Sequence, residues 1–190
     1  MRKFGARKIQ RCLLGDNLWA ACATNAGGMY DESYFGEIAD VLTWPAPTGS
    51  PTALGDKINY TGTIAMKSTK RMYTMYTTQD TSEVSDDSVG EIDGKSWETT
   101  YECFTPGTLP ATLELIATLN NGNFFFMARE RSGQFRIIGG PGHPAKIEMA
   151  SIKTAKDAKG RKGTTFKVKT WGLTPAPVYV SATIPLTPAP

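Results

Sequence analysis

From residue 58 onward, apolar and polar residues alternate through most of the chain, and this period of two restricts the fold more than any other feature. Ile58, Tyr60, Gly62, Ile64 and Met66 alternate with Asn59, Thr61, Thr63, Ala65 and Lys67. Only an extended backbone turns every second side chain to the same side, so the run predicts a strand with one face buried. Residues 71–78, with Tyr73, Thr74, Tyr76 and Thr77, have strong β propensity and predict a second strand. Trp97, Thr99, Tyr101 and Cys103 alternate with Glu98, Thr100 and Glu102, a third strand closed by Pro106-Gly107. Later, Ile147 and Met149, then Phe166 and Val168, then Val178, Val180 and Ile184 mark three more strands.

One stretch changes period. Leu109, Leu113 and Ile116 recur at helical spacing, and Leu115 and Leu119 widen the same face, predicting a helix over 109–120. Thr108 is the expected N-cap, Pro110 suits the first turn, and Asn120-Asn121-Gly122 stops the helix. A hairpin follows, with arms 123–131 and 134–138 around a two-residue turn at Ser132-Gly133. Short strands separated by turn signals, with a single helix among them, predict a mostly β fold: an antiparallel sandwich or barrel with one flanking helix. A chain of 190 residues buries roughly two thirds of its unfolded surface, so neither metal nor disulfide is needed for folding.

The ends read differently. Residues 1–57 predict an irregular N-terminal arm, because 24–57 mix turn formers (Gly27, Gly28, Pro45, Pro47, Gly49, Pro51, Gly55) with Tyr30, Tyr34, Phe35, Ile38 and Trp44. That content is too apolar for a disordered linker and predicts packing against the chain's own domain or a neighbour. The sandwich is then expected over 58–184, and residues 185–190, with three prolines, as a flexible tail.

The net charge of +3 is too small for the whole chain to be a nucleic-acid binder, but the charge is blocked. Arg2, Lys3, Arg7, Lys8 and Arg11 open the chain. Asp80, Glu83, Asp86, Asp87, Glu91 and Asp93 form an acidic stretch, expected as an exposed loop. Lys153, Lys156, Lys159, Arg161, Lys162, Lys167 and Lys169 form a basic one. Such blocks predict solvated loops or complementary faces in an assembly.

Catalysis finds little support. His143 is the only histidine, placed in a Gly-His-Pro turn with no acid beside it, so a nucleophile–base pair has one weak candidate. Cys12, Cys22 and Cys103 are odd in number and lack metal-ligand spacing. The acidic stretch lacks the ligand ladder of a calcium loop. Gly139-Gly140-Pro141-Gly142 leads into no helix and carries no Lys-Ser/Thr, so it reads as a turn rather than a phosphate loop. The expectation is a non-enzymatic protein without cofactor or metal. Phe124-Phe125-Phe126 points to both faces of its sheet, so the second face must be covered by the helix or by another subunit.

The helix Leu109–Gly122, the hairpin Phe124–Gly139, the basic connector 153–162, the segments Thr164–Thr170 and Pro175–Tyr179, and upstream Gly28-Met29-Tyr30, Ile38–Leu42 and Trp44-Pro45 together resemble virion structural proteins of tailed bacteriophages, in particular those infecting Bacteroidetes. The resemblance spans roughly residues 25–180. It implies a tail-tube or neck-ring subunit, forming a hexamer-like ring with copies of itself, contacting other virion proteins and letting DNA pass without sequence-specific binding. It also implies no catalytic residues, no membrane, and a place in the virion after synthesis in the host cytoplasm. A conduit for DNA favours an acidic or neutral lining. On that basis Asp80, Glu83, Asp86, Asp87, Glu91 and Asp93 are expected at the lumen or at a ring-to-ring contact. Tyr34, Phe35, Trp44, Phe124, Phe126, Lys159, Arg161 and Lys162 are expected at a subunit interface. Two other readings stay open: an OB-like nucleic-acid-binding β-barrel that stacks bases on the phenylalanine run, and a surface lipoprotein or binding module anchored at Cys22, whose leader Arg11, Asp16 and Asn17 interrupt.

Overall fold

The structure is a computed structural model that describes residues 26–157, 159–181 and 183–188. The basic start and Cys22 lie outside the described residues. The chain runs β1 (Met29–Glu37), a 3-10 turn (Ile38–Asp40), β2 (Val41–Thr43), β3 (Ala46–Pro47), β4 (Asn59–Thr61), β5 (Ala65–Met66), β6 (Tyr73–Tyr76), β7 (Glu83–Val89) and β8 (Ser96–Pro106). Then come α1 (Pro110–Asn121), β9 (Phe124–Glu130), β10 (Phe135–Ile138), β11 (Lys146–Lys153), β12 (Gly163–Gly172) and β13 (Val178–Tyr179).

Two sheets face each other across the main core. One has seven strands in the order β3-β4-β13-β10-β9-β1-β6, and the other has four, in the order β11-β12-β8-β7. β2 and β5 pair separately. Among the described residues the fold is thus the mostly β, sandwich-like architecture with one α-helix that the sequence predicts. Tyr101, Cys103, Phe166 and Val168 from the four-stranded sheet meet Phe35, Met75, Phe124, Phe126 and Ile138 from the seven-stranded one. Ile116 and Leu119 of α1 close this core, with Ile147 and Ala150 packed against it.

The seven-stranded sheet is covered on its other face too. Tyr34, Phe125, Met127, Ile137 and Tyr179 point away from the sandwich and are roofed by Ile64, Met66, Met72, Trp44, Ile184 and Leu186. This settles the phenylalanine run. Phe124 and Phe126 fill the core between the sheets, and Phe125, with no exposed surface, fills the second one. Both faces are covered by the chain itself rather than by a neighbour.

Several expected boundaries change. Residues 29–37 are not part of an irregular arm: β1 lies between β9 and β6, with Ser33 to Gly36 buried in succession. A bulge hides it from the period-two reading, because Met29 lies opposite Glu130 while Ser33 lies opposite Ala128. The expected strand 58–66 is split at Gly62 (φ +92), so β4 and β5 join different sheets. The acidic stretch is not a loop, since its centre is β7, paired along its length with β8. The two-residue turn becomes a three-residue one: Glu130 N–H donates to the Gln134 carbonyl, and Gly133 at φ +94 completes the reversal. Leu109 rather than Thr108 caps α1, without a side-chain bond. The last strand stops at Tyr179, and the expected flexible tail begins anchored, with Met72 N–H donating to the Pro185 carbonyl at 2.8 Å.

Candidate assembly surface

β7 and β8 alternate like any half-buried pair, but what they turn outward is acidic. Val84 packs against the main core and Asp86 also points inward, while Glu83, Ser85 and Asp87 face out. On β8, Tyr101 and Cys103 face in, and Glu98, Thr100 and Glu102 face out. The register sets Glu83 directly opposite Glu102, and Asp87 directly opposite Glu98. These residues, with Lys167 and Lys169 of β12, line a shallow concavity of about 220 Å³ on the sheet's outer face. Like charges placed directly across a strand pair are destabilising.

The lysines answer only part of this charge. Lys169 reaches Glu98 at 2.9 Å and Glu148 of β11 at 2.9 Å, and Lys167 reaches Glu148 at 3.3 Å. Hydrogen bonding from Lys169 lowers the Glu148 pKa, and the same bond raises that of Lys169. Glu83, Asp87 and Glu102 have no ion pair among the described residues.

The six acids grouped by the sequence therefore separate. Asp80, in a positive-φ turn before β7, pairs with Arg131 at 2.6 Å. Glu83 and Asp87 form the outer face. Glu91 and Asp93 flank Ile92 at the tip of the β7–β8 hairpin. Asp86 is not a surface group but a cross-sheet tie. It accepts hydrogen bonds from Thr99 Oγ1 (2.5 Å), Arg136 Nη2 (2.5 Å) and the Ala176 N–H (2.8 Å). Arg136 belongs to β10, so this carboxylate joins the two sheets.

The residues expected at a subunit interface also divide. Tyr34, Phe35, Phe124 and Phe126 are buried within the single chain, so their side chains belong to its own cores. The same burial removes the phenylalanine run as a platform for stacking bases. Trp44 is half-buried, its indole edge-on to Phe125 at 4.9 Å. Lys159, Arg161 and Lys162 are exposed in the connector between β11 and β12, as a solvated tip predicts.

His143 is held by its backbone, exchanging hydrogen bonds with Gly140 and accepting from Thr170 Oγ1 at 3.0 Å. It borders a cleft of about 390 Å³ walled by Trp44, Tyr60, Trp171 and Pro177. No carboxylate or thiol is among the residues lining that cleft, whose titratable side chains are His143, Lys57 and Tyr60. Cys103 is fully buried, and burial pushes its thiol up to about 12. Among the described residues no group of three or more His, Cys, Asp or Glu is placed to hold a metal ion, and no helix is long and apolar enough to cross a membrane.

Comparison of the chain with protein-family models, curated proteins and solved structures finds no match.

Proposed function

We propose that this chain is a non-enzymatic structural subunit that assembles with copies of itself into a ring, of the kind that forms the tail tube or neck of a tailed phage. The outer face of the four-stranded sheet would then be turned toward the lumen. The observation that carries the reading is the like-charge register of Glu83 with Glu102 and Asp87 with Glu98 on an open sheet face. The core does not require those carboxylates, and facing pairs cost stability. A wall that DNA must slide past gives them a use. Carboxylates repel phosphates, whereas Lys and Arg would hold them through counterion release.

Negative-stain microscopy of the purified chain over a range of concentration and salt tests the ring. Uniform particles with a central hole are expected, and a single-subunit mass under every condition refutes it. The triple variant Glu83→Lys/Asp87→Lys/Glu102→Lys tests the lumen. Its rings should retain linear DNA at low salt and release it as salt rises, while wild-type rings retain none. Equal DNA retention by both refutes the placement of this face.

A further inference from the structure

The four-stranded sheet has two ends, and they differ in charge. Val89↔Ser96 closes the β7–β8 hairpin at one end, and Lys153↔Gly163 closes the β11–β12 hairpin. Gly163 is also paired with Pro106, the last residue of β8, whose first residue, Ser96, lies at the other end. The two tips therefore project from opposite ends, separated by the 11 residues of β8, or roughly 35 Å at ~3.3 Å per residue.

Each tip is unfinished alone. At the first, Ile92 stands between Glu91 and Asp93 and is 86% exposed, a large aliphatic side chain at a hairpin apex with nothing packed on it. At the second, a concavity of about 300 Å³ is lined by Phe104, Gly163 and Thr165, with Lys153 and Arg161 among its lining residues and Glu102 its one acid. Lys156, Lys159 and Lys162, all exposed, continue the positive charge along the same connector. No ion pair reaches these five cations among the described residues. An aliphatic side chain flanked by two carboxylates is thus matched by a hollow lined by Phe104 and by the cations Lys153 and Arg161, on the same chain but at the far end.

A tip cannot reach the opposite end of its own sheet, so we infer that the occupant is a second copy. The Glu91-Ile92-Asp93 tip of one subunit seats in the Phe104/Lys153/Arg161 concavity of the next. The two surfaces differ, so the contact is head-to-tail and propagates along the strand direction rather than closing as a symmetric dimer. Ile92 supplies apolar burial, and the carboxylate–cation pairs fix the orientation. Built on the ring reading above, this is the contact that stacks one ring on the next.

The test uses the full chain and three proteins beside wild type: Ile92→Asp, Lys153→Glu/Arg161→Glu, and the charge swap Glu91→Lys/Asp93→Lys/Lys153→Glu/Arg161→Glu. Circular dichroism checks that each is folded, and electron microscopy with sedimentation velocity reads assembly. Stacks in wild type, single unstacked rings in the first two variants, and stacks restored by the swap are expected. Wild-type chains that pair end to end without rings, and lose that pairing in Ile92→Asp, overturn the ring while supporting the contact. Stacks of unchanged length in Ile92→Asp, or wild-type rings that never stack, overturn the contact and leave the ring standing.

Discussion

Asp86 and Asp87 are neighbours in sequence and of the same type, yet only the removal of Asp86 should destabilise the fold. Asp86 takes three donors, from Thr99, Arg136 and Ala176, at 2.5, 2.5 and 2.8 Å. Its side chain is 15% exposed and that of Arg136 is 20% exposed. Replacing Asp86 by alanine strands the Arg136 guanidinium, whose Nε already lacks a partner and whose other carboxylate, Glu130, lies at 3.4 Å. It also leaves the Ala176 N–H without an acceptor. Breaking a buried pair by removing one partner costs ~3–5 kcal/mol. This pair keeps some contact with water, which places Asp86→Ala near the bottom of that range, at about 3 kcal/mol. With a urea m value on the order of 2 kcal/mol/M, the unfolding midpoint should fall by about 1.5 M. Asp87 instead faces Glu98 across the strand pair on the open side of the sheet. Asp87→Ala removes a like-charge opposition, so its midpoint should be unchanged or slightly raised. Urea titration followed by tryptophan fluorescence reads both. Equal midpoints for the two variants would refute the cross-sheet tie and return Asp86 to the surface.

Two further predictions follow from the cores. Gly36 lies directly opposite Phe125, and a Cβ there would meet the phenyl ring at 2.8 Å. Because Phe125 is fully buried and cannot swing aside, Gly36→Ala should destabilise by about 2 kcal/mol through overpacking, read as a lowered urea midpoint; an unchanged midpoint would show that this core is loose. Cys103 predicts alkaline sensitivity. Its thiol is held up to about 12 in the folded chain by burial, while an unfolded thiol ionises near ~8.5. Between those values the folded state keeps a proton that the unfolded state gives up, so stability is full below ~8.5 and falls as pH rises toward 12. Tyr101, also raised by burial, adds the same sign above ~10. Melting temperatures taken from pH 8 to 11 should fall less steeply in Cys103→Ala than in wild type, and parallel slopes would contradict the assignment.

The parts legible in the sequence obey one simple period or carry a clear turn signal. β8 and α1 follow their alternation or helical spacing, and the β9–β10 hairpin, whose Phe124–Ala128 run does not alternate, is marked by the turn at Ser132-Gly133; all three appear close to where the sequence predicts them. β1 escapes the pattern because its bulge breaks the alternation, and because Ser33 and Gly36 are not apolar although buried inside a sheet covered on both faces. β7 escapes it for the opposite reason. Its outward residues are so acidic that composition favours a loop, and only Val84 hints at an inner face. The acidic surface was out of reach in a stronger sense. Glu98 and Glu102 were visible as the polar half of a strand, and Glu83 and Asp87 as part of a charge block. Their meeting depends on the β7–β8 register, set by a six-residue turn over 90–95 that contains two positive-φ residues, Gly90 and Asp93. The pattern likewise fixed no partner for Asp86, since Arg136 and Ala176 lie 50 and 90 residues away.

The acidic face also bears on why β7 exists as a strand at all. Local preference opposes it: aspartate is depleted in strands, and two of its carboxylates face two more on β8. The strand is held from its inner side, where Val84 packs into the main core and Asp86 ties β10 and the Ala176 backbone to the sheet. The outer carboxylates contribute nothing to that attachment. A chain selected only to fold would replace Glu83 and Asp87 with threonine or lysine, which keep the alternation and relieve the repulsion. A local rule broken without gain to the fold is the pattern expected of a functional surface. The like-charge register on this face is therefore the physical basis of our proposal that it works against a passing polyanion.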